Sequence, residues 1–143
     1  ENSTAEEDYY KVLLREFKFG FVGKTSSETS YEAIDKSGIV VFTSSTLGYE
    51  SLARGKKTAA IMLDAQLIKA DALKFGWPAD LADEGKFWTH QLSQQRIYEI
   101  MDYLSNTTDH EWNETRLKAI KDVIEFDPGN SKFVSVIDSI LAT

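Results

Sequence analysis

The chain of 143 residues has no cysteine. That excludes disulfides, thiol nucleophiles and thiolate metal sites. It fits a reducing compartment, so a cytoplasmic location is the expectation. Histidine is scarce as well: His90 and His110 stand in unrelated contexts, without the i, i+4 spacing of a helical metal pair. No metal and no resident cofactor are expected. No apolar run approaches the roughly 20 residues that cross a bilayer. Positive charge is also short, with 16 Lys and Arg against 23 Asp and Glu and a formal net charge of −7. The densest basic cluster is "ARGKK" at 53–57. A polyanion binder needs a basic face, so nucleic acid is not an expected partner. A small anion is still compatible, because one helix N-terminus can hold it without net positive charge. The chain's length and its 42% hydrophobic and 27% charged content are those of one ordinary globular domain, taken here as 1–143.

The order of elements is readable. "STAEEDYYKVLLREF" opens with Ser3 and Thr4 as cap candidates, has acids in its first turn, and carries Tyr9, Val12 and Leu13 at helical spacing. "KFGFV" at 18–22 reads as a short strand. "SSETSYEAIDKS" reads as a helix capped at Ser26 or Ser27. The apolar run at 39–43 suits a strand covered on both faces and is expected at the centre of a parallel sheet. A helix over "TLGYESLARG" with Gly55 as its stop and a strand at 58–63 complete an alternating helix–strand pattern. Such a pattern implies a Rossmann-like α/β fold, a parallel sheet flanked by helices with right-handed crossovers. Residues 64–92 break the rhythm and read as a long loop with one helix at its start. From Ser93 the chain is helical, giving a helical C-terminal third. Its last helix, near 131–142, is expected to pack Phe133, Val136, Ile137 and Ile140 against the domain.

Two stretches could hold phosphate. Gly23-Lys24-Thr25 has the end of a P-loop, but Lys18 stands where that motif needs a glycine. The other is "IVVFTSSTLGYE", where Ser44, Ser45 and Thr46 lie between the end of a buried strand and the start of a helix. One of them would suffice as an ordinary cap. Three hydroxyls at the carboxyl end of a parallel strand, beside free helical N–H groups, also suit phosphate oxygens. Glu50 lies one turn beyond Thr46 on the same helix face, placed for a ribose diol rather than for the phosphate. Both the capping and the nucleotide readings stand on the residues alone. Elsewhere the plainer readings lead. Trp77 and Trp88 suit packing, His90 suits a satisfied or surface histidine, and Asp80, Asp83 and Glu84 suit a solvated turn. Asp127 and Asn130 suit turn and cap chemistry around Pro128-Gly129.

"SSTLGYESLARGKKTA" resembles the donor-binding motif in the C-terminal half of GT-B glycosyltransferases and of the related sugar-nucleotide 2-epimerases. With "DKSGIVVF", "FGWP", "KFWT" and "DPGNSKF", nearly the whole chain resembles bacterial surface-carbohydrate biosynthesis proteins, which make lipopolysaccharide or capsule sugars. The resemblance implies a nucleotide-sugar donor, CMP- or UDP-linked, with its phosphates on Ser44, Ser45 and Thr46 and its ribose on Glu50. It implies catalysis by positioning and by stabilisation of the departing phosphate at the helix start. The His-Pro pair that precedes the first helix in the CMP-sugar branch is absent. We therefore expect the chain to be the C-terminal half of a longer protein whose N-terminal half binds the acceptor and supplies the catalytic base, which is unknown here. The whole would be cytoplasmic, without a transmembrane segment and at most peripheral at the inner membrane. The alternatives are a 2-epimerase-like enzyme, which needs carboxylates and a histidine around the sugar, and a non-catalytic Rossmann-like module in which Ser-Ser-Thr is only a cap.

Overall fold

A computed structural model of the protein describes residues 3–23 and 29–142. The backbone falls into two compact units, Glu1–Lys36 and Ser37–Thr143. In the first, helix α1 spans Ser3–Leu13 and helix α2 spans Ser30–Lys36. Lys11 pairs with Glu7 one turn earlier at 2.9 Å, the favourable order for a helical ion pair. Helix α2 is started by Thr29, whose hydroxyl accepts the Glu32 N–H at 3.2 Å while the Glu32 carboxylate accepts the Thr29 N–H at 2.7 Å. The expected caps, Ser26 or Ser27, lie outside the described residues together with Lys24 and Thr25. Residues 18–22 form no strand, contrary to expectation. Phe19 and Phe21 supply the alternation, but a strand exists only through its ladder. Gly20 in the middle also adds entropy cost and offers no side chain to pack.

The second unit holds strands β1 (Val40–Phe42), β2 (Thr58–Ile61), β3 (Glu84–Gly85) and β4 (Trp88–Thr89). Its helices are α3 (Thr46–Ala53), α4 (Leu63–Ile68), α5 (Gln94–Asn106), α6 (Asp109–Ile120) and α7 (Ser131–Leu141). The sheet order is β1-β2-β4-β3, parallel except for the β3–β4 hairpin. The fold is therefore the expected Rossmann-like α/β arrangement, a mostly parallel sheet flanked by helices with a helical C-terminal third.

Its interior differs from expectation. Strand β2, not β1, lies between two neighbours, and β1 is an edge strand whose Val41 is 54% exposed. An all-apolar run marks strand character without ranking strands by depth. Strand β2 is buried at every position, and its small Ala59 and Ala60 let covering elements approach both faces. The strand also ends at Ile61, because Leu63 already starts α4. The hairpin inside 64–92 was not expected. It turns through Lys86 and Phe87, and its second strand pairs in parallel with β2, Ala60 opposite Trp88. The core joins Phe42, Leu52, Phe75, Phe87, Ile100 and Trp112.

Helix α7 forms where expected, but its packing does not. Phe133, Val136, Ile137 and Ile140 are 66%, 56%, 38% and 61% exposed. The 3.6-residue period shows which face of a helix is apolar; what covers that face is not contained in it. In the turn before α7, Asp127 accepts from the Ser131 hydroxyl at 2.6 Å and the Lys132 N–H at 2.8 Å, whereas Asn130, at the N-cap position in a left-handed conformation, makes no side-chain cap bond.

Helix α6 carries a complete capping box. The Thr108 hydroxyl accepts the Glu111 N–H at 3.2 Å, and the Glu111 carboxylate accepts the Thr108 N–H at 3.1 Å. These Thr108 donors hold the Glu111 carboxyl below the usual glutamate range. A depressed folded-state pKa means that the bond stabilises the protein above the ordinary glutamate pKa and is lost as pH falls through the depressed one. Glu111→Gln should therefore lower stability at neutral pH and flatten the acid limb of the stability–pH curve, the two proteins converging at low pH, as urea midpoints would show. Thr108→Ala should cost about 1 kcal/mol at neutral pH.

Candidate functional site

Helix α3 is the element that would present a ligand, and each end of it is held differently. At its start Ser45 is the N-cap, its hydroxyl accepting the Leu47 N–H at 3.2 Å. The Gly48 N–H donates to the Ser45 carbonyl at 3.0 Å. Gly48 lies against the Phe42 ring so closely that a Cβ there would come within 2.0 Å of it. The absent side chain thus lets the first turn of α3 rest on β1. Tyr49 continues this contact, edge-on to Phe42 at 5.3 Å and stacked on Phe75 at 5.6 Å. Its hydroxyl accepts the Gly76 N–H at 3.0 Å, and burial pushes its phenol above the usual pKa.

At the other end, α6 grips the last carbonyls of α3. Arg116, 8% exposed, donates to the Leu52 carbonyl at 2.8 Å, the Ala53 carbonyl at 3.3 Å and the Asn113 side chain at 2.9 Å. Burial lowers its guanidinium pKa. No carboxylate pairs with it among the described residues, so the negative end of the α3 dipole serves as its counter-charge. The Trp112 indole N–H donates to the Gly55 carbonyl at 2.8 Å. Gly55 has φ +90, the left-handed stop expected after the helix.

The predicted residues sit on this frame as follows. Ser44, Ser45 and Thr46 are all exposed at the carboxyl end of β1, and Glu50 is half-buried one turn along α3. The four backbone N–H groups of 45–48, expected to be open, are not all so. Those of Leu47 and Gly48 are taken by Ser45, because a good cap satisfies the first turn from within. The Thr46 N–H has no acceptor among the described residues. Capping thus accounts for Ser45; it does not account for Ser44 or Thr46.

Of the other candidates, His90, Asp83 and Trp88 are engaged within the fold. His90 is 4% exposed; its Nε2 accepts the Phe75 N–H at 3.0 Å and its Nδ1 faces Asp83 at 3.3 Å. That pairing assigns the ring proton to Nδ1. Asp83 is held below its usual pKa first by Lys74 and then by His90. Trp88 packs over Gly85 and donates to the Ala82 carbonyl at 2.9 Å, whereas Trp77 is exposed. No group of three or more His, Asp or Glu side chains is arranged for a metal among the described residues. Arg116 and Trp112 went unnoticed in the sequence, where they read as ordinary members of a helix.

Arg116→Met should lower stability by roughly 2–3 kcal/mol, since it strips a charged donor from two buried carbonyls; the urea midpoint reads it. Gly48→Ala should cost about 1–3 kcal/mol through its clash with Phe42. The same change made in a Phe42→Ala background should cost clearly less, which a double-mutant cycle would show.

Among the described residues no helix is long and apolar enough to cross a membrane. A family model described as "putative O-antigen biosynthesis protein" matches residues 1–140. No curated protein and no solved structure shows significant similarity to the chain. The match runs through the Ser-Ser-Thr turn, α3, the β3–β4 hairpin and the helical third alike. The chain belongs to this O-antigen biosynthesis family, and so to the surface-carbohydrate biosynthesis that its motifs resemble.

Proposed function

We propose that the chain is the nucleotide-sugar-binding domain of a glycosyltransferase that acts in surface polysaccharide synthesis. The observation that carries this is the exposed Ser44–Thr46 triplet at the carboxyl end of a parallel strand, at the start of a helix fixed at both ends. Open α/β sheets bind ligands at that end of their strands. With Ser45 used as cap, the donor phosphates bind the Ser44 and Thr46 hydroxyls and the Thr46 N–H, at the positive end of the α3 dipole. Glu50 takes the ribose diol, looking past the phosphate it would otherwise repel. The donor is CMP- or UDP-linked. An N-terminal half binds the acceptor and supplies the base, and the exposed apolar stripe of α7 suits an interface with such a half. The protein works in the cytoplasm, at most peripheral to the inner membrane.

The 2-epimerase reading needs a histidine beside the sugar, and His90 has both ring nitrogens occupied within the fold. The purely structural reading draws on the capping role of Ser45, and a titration separates it. CMP or UDP should bind the wild-type chain saturably in calorimetry. Glu50→Ala should weaken that binding by about 1.5–3 kcal/mol, the value of hydrogen bonds to a charged group, with little loss of stability. If neither nucleotide binds, the triplet is a cap and nothing more; if the variant binds as well as wild type, Glu50 does not hold the ribose.

A further inference from the structure

We draw no further inference here: the strongest candidate, the edge of the sheet along β1, where Val41 is 54% exposed while Arg96 covers the Gly85 carbonyl at the opposite edge, carries none because nothing in the structure shows what covers it.

Discussion

The grip of Arg116 and Trp112 on the end of α3 is the constraint from which the second unit is organised. It joins residues more than fifty positions apart in sequence, Leu52 and Gly55 on one side and the middle of α6 on the other. Without it the Ala53 carbonyl would lose its Arg116 donor and the Leu52 carbonyl would be left to the Gly55 N–H at 3.0 Å, since a helix end leaves its last carbonyls without partners inside the helix. Arginine suits the task where lysine would not. Its planar fork reaches two carbonyls and the Asn113 amide together, and it tolerates burial as a weakly hydrated cation. The same helix sends Trp112 into the core against Phe87 at 5.1 Å, so the clamp also fastens the β3–β4 hairpin.

A second constraint is close approach through small residues. Gly48 admits the Phe42 ring, Ala59 and Ala60 thin the central strand, and Gly85 admits the Trp88 indole. Around them runs a chain of rings, Phe42, Tyr49, Phe75, Phe87 and Trp112, each within 5.7 Å of the next. The stretch 64–92 is held by that chain and by two polar pins, the Tyr49 hydroxyl on Gly76 and His90 between Phe75 and Asp83. Its length resembles a functional loop, but most of its chemistry is spent on internal satisfaction. The candidate site comes instead from the ends of regular elements.

How much could be read beforehand follows the range of each interaction. Stops are local, and Gly55 was legible because it acts within a few residues, whereas the cap was narrowed only to Ser44, Ser45 or Thr46. Helical periods were legible for the same reason. Strand order was not, because depth in a sheet depends on what covers both faces, and "IVVF" and "TAAI" do not differ in pattern enough to decide it. The β3–β4 hairpin was hidden by its brevity, two residues to a strand. Residues 18–22 show the opposite error, a correct alternation without a ladder. Of the candidate site, position and exposure were legible at Ser44–Thr46. The partial closure of the helix start by Ser45 was not, since three adjacent hydroxyls give no sign of which one turns inward. Arg116 was illegible for a deeper reason. An arginine on an amphipathic helix usually lies outward, and only the end of another helix, supplied by the tertiary fold, gives it a reason to be buried.

The distribution of charge distinguishes the start of α3 from the groove beside α5 and α6. With a net charge of −7, the chain as a whole repels anions, so an anion site must be local and built from dipoles and hydroxyls rather than from bulk potential. The start of α3 meets that condition, with no acidic residue in its first turn. The groove of α5 and α6 carries the opposite bias, four carboxylates against two lysines. Because the two surfaces lie at opposite ends of parallel strands, their fields interfere little beyond the Debye length, about 8 Å at physiological ionic strength. An anion is thus disfavoured in the groove. Preference for an anion at the start of α3 over the groove then needs no moving part, since it follows from where the acids stand.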